Sequence, residues 1–354
     1  MKIAVYTIAL NEEKHVERWY ASVKDADYIL IADTGSTDKT VAIAKELGIT
    51  VVSLSVAPFR FDMARNAALA AVPTDADICV SLDMDEVLTE NWREELTALP
   101  IIDSAIYRVP LTWNFPEDGS TGLQYGADRV HSRRGIMWKY AAHEILVTYG
   151  EVPETRGWLK FGIEHRADPT KSRSQYLGML KIGTAEAPES DRAAYYYARE
   201  LYFHGLIDSA AEEFKRHLAL PTATWGPERA SSLRHLAKCE PNLAEKYLLL
   251  AVAEAPHLRE ARVELAQLYY TKGYWEQCFE HAQLATDIAE KPLDYFCEEF
   301  AWGWLPYDLV AIAAYNLGDK KTAYRYGGIA LGFSPEDGRL ARNMVFYQAE
   351  SGAE

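Results

Sequence analysis

Over the first hundred residues, short apolar runs of the kind that form buried strands alternate with helical stretches, and polar residues close each run. Residues 3–8 read as a strand and 12–23 as an amphipathic helix. A strand at 28–32 and a helix at 39–47 follow, then a strand at 50–54, a helix at 62–71 and a strand at 78–82. This alternation predicts an α/β domain built on a mostly parallel sheet covered on both faces. Ser36 or Thr37 is placed to cap the second helix and Gly48 to stop it. Ligands of such sheets bind beyond the carboxyl ends of the strands. Asn11-Glu12, Asp33 and Asp83/Asp85 all fall at those ends, although they lie far apart in sequence.

Asp83-Met84-Asp85 directly follows the apolar run 78–82. Two carboxylates at the end of a buried strand repel one another, and partial burial raises the cost of ionising them. A hard divalent cation relieves both problems and leaves positions open for phosphate oxygens. The tripeptide therefore reads as a clamp for a metal and a diphosphate. The net charge of -15 argues against a general polyanion binder, yet residues 129–181 hold 10 basic and 5 acidic side chains, a local positive zone. Cys79, Cys239, Cys278 and Cys297 show no Cys-x-x-Cys spacing and read as free thiols of a reducing compartment. No apolar run reaches the ~18–20 residues of a membrane span, and the first apolar stretch breaks at Asn11-Glu12-Glu13 and reads as a strand. A soluble cytoplasmic protein is expected.

From 104 to 171 the pattern becomes irregular and rich in Trp, Arg and His, with a strand at 105–111 and a loop at 116–126 containing Glu117-Asp118-Gly119. Functional loops resting on a rigid sheet have this character. From about residue 190 the chain is helical and repeats. Gly205 and Gly273 are 68 residues apart, twice the period of tetratricopeptide repeats. Ala198 and Ala266 stand seven residues before these glycines, and Ala210 and Cys278 five after. A missing middle turn falls at Cys239, with Ala244, Ala251 and Pro256 behind it, and a last unit centres on Gly318, with Ala311, Ala323, Ala330 and Pro335. An insertion that includes Trp302-Gly303-Trp304 separates the third and fourth units. Two domains are expected, 1–185 and 186–354.

Ala9-Leu10-Asn11-Glu12-Glu13, residues 33–40 (Asp-Thr-Gly-Ser-Thr-Asp-Lys-Thr), Ala64-Arg65-Asn66-Ala67-Ala68-Leu69 and Asp83-Met84-Asp85-Glu86 occur in that order, each at a strand end or on the helix facing it. At these residues the chain resembles the family 2 glycosyltransferases of the GT-A fold, with a tetratricopeptide-like helical domain after it. The resemblance implies a donor site of Ala9, Leu10, Glu12, Asp33, Arg65, Asp83 and Met84, with Asp33 accepting from a base N–H and so favouring a UDP-sugar. It implies Mn2+ or Mg2+ held by Asp85, with Asp83 at the ion or its water and His165 completing the shell. Inverting transfer needs a base to take the acceptor's proton. Glu144, after Arg129, Arg133, Arg134 and His143, is the first choice and Asp128 the second. Trp113, Tyr125, Trp138 and His143, with Phe115 and Trp158 nearby, suggest an acceptor groove.

The acceptor expected is a glycan, a protein side chain or a modified DNA base. The helical repeats would offer a concave surface to a protein partner or to a second copy of the chain. Two other readings compete. One is a catalytically idle module that docks a partner; the presence of both Asp83 and Asp85 weighs against it. The other is a nucleotidyltransferase, which would carry a Gly-rich basic loop where Ala9-Leu10-Asn11-Glu12-Glu13 stands.

Overall fold

A computed structural model describes residues 1–116, 121–150, 152–166 and 176–348. Glu117, Asp118 and Gly119 of the expected loop, and Lys171 at the end of the irregular segment, lie outside the described residues. The chain divides into two compact units, Met1–Ala187 and Pro188–Glu354.

The first unit opens with β1 (Ile3–Ala9), α1 (Val16–Val23), β2 (Tyr28–Asp33), α2 (Thr40–Glu46), β3 (Thr50–Ser53), α3 (Phe61–Ala71) and β4 (Ile78–Ser81). These strands lie side by side in the order β3-β2-β1-β4, all parallel. In β1 the pleat sends Ile3 and Val5 into one core with Val16, Trp19 and Val23 of α1. Ala4 and Tyr6 enter a second core with Ala68 and Leu69 of α3 and Val72 just after it. A strand buried on both faces has no polar alternation, which is why the run reads as continuously apolar.

Two local expectations change. The first helix starts at Val16, four residues later than its pattern suggested, because the Glu12 carbonyl accepts from His15 and Val16 in a preceding turn. Neither Ser36 nor Thr37 caps α2: Ser36 Oγ accepts from the Asn11 N–H, and Asp38 Oδ1 takes the Thr40 N–H instead. Gly48 does end α2, in the left-handed region at φ +77°.

Beyond β4 come β5 (Glu86–Leu88), α4 (Trp92–Thr97), β6 (Ala105–Thr112), β7 (Gln124–Ser132), β8 (Ile136–Lys139), β9 (Ile145–Thr148), β10 (Thr155–Trp158), β11 (Ile163–His165) and α5 (Tyr176–Glu186). The region expected to be irregular is therefore largely β-structure. Most of its strands are only three or four residues long, too short to declare a period. β7 joins β4 antiparallel, and the sheet continues β7-β6-β11-β5 with β10 alongside β6. β8 and β9 form a separate hairpin whose Ile136, Trp138 and Leu146 pack on Ile106. Between β6 and β7 the register slips: Tyr107 faces Val130 and Arg108 faces Asp128, so Arg129 is an extra residue in a bulge.

The second unit contains α6 (Asp191–Phe203), α7 (Ile207–Ala219), α8 (Gly226–Cys239), α9 (Ala244–Glu254), α10 (Glu260–Lys272), α11 (Trp275–Thr286), α12 (Glu299–Trp302), α13 (Leu305–Asn316), α14 (Lys320–Phe333) and α15 (Gly338–Gln348). α6/α7, α8/α9, α10/α11 and α13/α14 are the four expected helix pairs of a tetratricopeptide-like array. Gly205, Gly273 and Gly318 turn three of them at φ +73°, +71° and +87°. In the second pair a 3-10 turn at Pro241–Leu243 does this work without glycine. Ala198, Ala210, Ala266, Cys278, Ala311 and Ala323 are fully buried, as close helix approach requires.

The insertion before α13 folds back on the array. Phe296 meets Tyr195 of α6 with ring centroids 5.7 Å apart. Arg234 of α8 pairs with Glu298 at 2.7 Å and lies over the Phe300 ring. Glu260 Oε1 of α10 accepts from Trp302 Nε1 at 2.8 Å. The insertion thus lies against α6, α8 and α10. Among the described residues, no helix is long and apolar enough to cross a membrane.

Candidate active site

At the ends of β1 and β2, the two polar turns are knitted together. Asn11, at φ +55°, accepts at Oδ1 from the Thr37 N–H at 2.8 Å and donates its own N–H to Ser36 Oγ at 2.9 Å. The Asp33 carboxylate, 6% exposed, accepts from the N–H groups of Gly35 and Ser36 at 3.2 Å. The Glu12 N–H donates to Thr40 Oγ1 at 2.6 Å. Ala9 is buried within the sheet and Leu10 stands half-exposed at the rim.

The densest charge lies at the end of β4. Arg65, projecting from α3 and 4% exposed, donates to Asp83 Oδ1 at 2.7 Å, to Ser81 Oγ at 3.1 Å and to Glu144 Oε1 at 2.5 Å. Its guanidinium lies 5.0 Å from the Trp138 ring. Arg129, aimed by the β7 bulge, donates through Nη2 to Asp83 Oδ2 at 2.9 Å and Glu86 Oε1 at 2.7 Å. Burial alone would raise the Asp83 pKa, but the two guanidinium groups outweigh it and hold the carboxyl well below its usual range. Burial pushes Glu86 up to about 7, with Arg129 opposing and Asp83 and Asp85 adding to the rise. Two arginines here face three carboxylates, Asp83, Glu86 and Glu144.

Asp85 stands apart from the arginines. Its Oδ2, in the turn directly before β5, is 3.4 Å from His165 Nε2 on the neighbouring strand β11. His165 Nδ1 meets the Trp113 carbonyl at 2.9 Å, and a carbonyl can only accept, so Nδ1 carries a proton. The Trp113 indole stacks on the imidazole at 4.0 Å. Nε2 therefore points at a carboxylate oxygen with either a proton or a metal ion to share. Burial would lower the His165 pKa, but the hydrogen bonds to Asp85 and the Trp113 carbonyl raise it overall. An imidazole whose far nitrogen is fixed by a carbonyl has the build of a metal ligand. Asp85 and His165 together fit an ion that keeps most of its coordination for phosphate and water. Both Asp83 oxygens accept from arginine. Among the described residues, no three His, Cys, Asp or Glu side chains gather to hold an ion.

Several expected site residues lie elsewhere. Asp128, the second choice for the base, accepts from Arg108 at 2.8 Å and from Arg156 at 2.8 Å, and these arginines lower its pKa against the effect of burial. Met84 is 2% exposed and packs in the core beneath the strand end, so its side chain cannot reach a donor. Trp138 is 2% exposed and belongs to the hairpin core, because the alternation of β8 turns Ile136 and Trp138 inward; it carries Arg65 rather than an acceptor. Trp113 and Tyr125 pack beside His165 and against the main core. His143, at φ +53°, lies 5.8 Å from the Tyr176 ring. Glu86 and Arg129 carry no role in the sequence motifs, yet both belong to the charged cluster at the end of β4. The signal for Glu86 was its place directly after the acidic tripeptide; the bulge that aims Arg129 leaves no local mark.

Residues 4–104 match the family model described as Glycosyl transferase family 2. A TPR repeat-containing protein from Synechococcus elongatus is 36% identical over 94 residues, which make up 26% of this chain and 23% of that protein. An uncharacterized glycosyltransferase from Rickettsia bellii is 35% identical over 96 residues, 27% of this chain and 31% of the relative. The chain thus spans less than a third of either relative. Among solved structures, MamA aligns with 46% of this chain and 89% of its own at 17% identity and a TM-score of 0.37. The pilF protein of Pseudomonas aeruginosa aligns with 49% and 72%, at 17% identity and a TM-score of 0.38.

Proposed function

We propose, from the premise that the chain carries a family 2 glycosyltransferase domain at its amino terminus, that the first unit moves a sugar from a nucleotide-diphosphate donor to an acceptor hydroxyl. UDP-sugars are the favoured donors, inversion at the anomeric carbon the expected outcome, and a glycan, protein or modified DNA base the acceptor. The observation that carries this reading is the Asp85–His165 pair, 3.4 Å apart at the carboxyl end of the sheet and fixed in tautomer by Trp113.

Asp85 and His165 would hold Mn2+ or Mg2+, which when bound neutralises charge developing on the departing diphosphate. The turn tied by Asn11 presents Asp33 for a base N–H, and Leu10 lies at the rim beside it. Arg65 and Arg129 keep Asp83 ionised and in place behind the ion pair. Glu144 is oriented by Arg65 through Oε1, while Oε2 makes no protein hydrogen bond among the described residues. In transfer, the acceptor oxygen bonds to the anomeric carbon, the carbon–diphosphate bond breaks, and the acceptor's proton passes to Glu144 Oε2.

The test is a thermal-shift titration of the full chain with UDP-sugars, with and without Mn2+, followed by transfer assays. Saturating donor at ~100 times Kd should stabilise the protein by about 2.7 kcal/mol, and only with the ion present. Asp85→Ala should lose that shift and all turnover. Glu144→Gln should keep the shift and lose turnover; full turnover in this variant would move the base elsewhere. An idle docking module is the second reading, favoured by the Glu144–Arg65 ion pair. Turnover with any acceptor removes it.

A further inference from the structure

The geometry points to a saccharide-stacking platform on Trp158, bordered by Asp128, Arg108 and Arg156, which receives a pyranose ring of the acceptor. This inference rests on the glycosyltransferase reading and names a substrate class and a position for its acceptor side.

Trp158 ends β10, directly opposite Arg108 of β6, and is 56% exposed. An indole left so open is unusual, because burying it would remove a large apolar area from water. It is nonetheless seated. A Cβ on Gly126 would come 2.3 Å from Trp158 Cη2 and 2.5 Å from Arg108 Cδ, so only glycine at this position lets both side chains lie down on β7. The Arg108 guanidinium sits 5.6 Å from the indole ring.

Polar groups edge this surface. Asp128 accepts from Arg108 Nε at 2.8 Å and Nη2 at 3.2 Å, and from Arg156 Nη1 at 2.8 Å. Arg156 also donates to Glu154 Oε1 at 2.5 Å. Two guanidinium and two carboxylate groups therefore balance, with Arg108 and Arg156 more than two-fifths exposed and Asp128 18% exposed. Such an array offers no surplus positive charge to a phosphate backbone, which argues against a nucleic acid. A single indole is also smaller than the contiguous apolar patch that marks a protein interface. A pyranose matches both features. Its C–H face covers an aromatic ring, and its hydroxyls, each a donor and an acceptor, fit a rim of fixed carboxylate and guanidinium groups.

Position supports the assignment. Asp128 immediately precedes Arg129, whose Nη2 holds Asp83 Oδ2 at 2.9 Å. The platform therefore adjoins the charged end of β4, one residue along the same strand.

The test is ligand-observed saturation-transfer NMR on the full chain with methyl glycosides of glucose, galactose, mannose and N-acetylglucosamine, and with UDP plus Mn2+ as a separate probe. Transfer to the ring C–H protons of at least one glycoside is expected. Trp158→Ala should reduce it about fivefold or more, in line with the worth of an aromatic contact, and Trp158→Phe should restore most of it. Asp128→Asn should weaken it without changing the UDP signal. If no glycoside receives transfer from the wild-type chain, or if Trp158→Ala keeps the wild-type signal, the platform is refuted. The UDP signal reports the strand-end site independently: its loss from every form of the protein would sink the donor reading and leave the glycoside result to decide this one.

Discussion

Replacing Tyr6 with Phe should destabilise the first unit through the floor of the charged site. Tyr6 is fully buried in β1. Its oxygen accepts from Trp138 Nε1 at 2.7 Å and lies 2.9 Å from His131 Nε2. His131 Nδ1 meets the Ser132 carbonyl at 2.8 Å, so Nδ1 holds the ring proton and Nε2 accepts from the Tyr6 hydroxyl. Removing one oxygen thus strands a buried donor and a buried acceptor. Each costs about 1–3 kcal/mol, partly offset because the hydroxyl itself no longer needs desolvating, for a net loss of about 2–4 kcal/mol. In a unit of 187 residues this lowers the unfolding midpoint by about 5–15 °C. Thermal unfolding followed by near-UV circular dichroism measures the shift, and hydrogen exchange at the Trp138 indole N–H tests its cause. That proton should exchange faster in the variant. A midpoint within about 1 °C of wild type, with the indole still protected, would refute the relay.

Further outcomes follow from other buried contacts. Burial lowers the His131 pKa to about 4 from its usual 6.5, so the unfolded chain takes up the proton first. The stability this residue supports is complete above pH 6.5 and is lost as pH falls through about 4, by roughly 3 kcal/mol at 1.36 kcal/mol per pH unit; His131→Asn should flatten that limb in urea titrations across pH. Asp83→Asn weakens the partner of the buried Arg65 and the half-buried Arg129 and should cost about 3–5 kcal/mol. Asp85→Asn should leave the fold within about 1 kcal/mol of wild type while removing any Mn2+-dependent thermal shift, and equal destabilisation by the two would contradict their different surroundings. In the second unit, Phe296→Ala removes a 5% exposed ring that rests on Tyr195 and Trp225. It should cost about 3–5 kcal/mol in urea unfolding; a loss under about 1 kcal/mol would mean the insertion does not hold the array together.

Where a property depends on neighbours along the chain, it was legible in the residues themselves. Continuous apolar runs closed by Asn11, Asp33, Asp83 and Asp85 announced parallel strands with acidic ends, because a strand buried on both faces has no room for polar alternation. Gly48, Gly205, Gly273 and Gly318 marked helix ends, since the left-handed backbone there penalises a Cβ. The spacing of Ala198, Ala210, Ala266 and Cys278 marked helices that must approach closely. Pairings between distant residues left no such trace. Arg129 reaches Asp83 across 46 residues and Arg65 reaches Glu144 across 79. Both contacts depend on β7 entering antiparallel beside β4, on a bulge that re-aims one side chain, and on a hairpin laid over the sheet. Those choices also buried Trp138, engaged Asp128 with Arg108 and Arg156, and sent the 294–302 segment across α6, α8 and α10. Periodicity records which face of an element is apolar; which charge answers which is settled only when the elements meet, because a buried ion must find its partner wherever packing has put it.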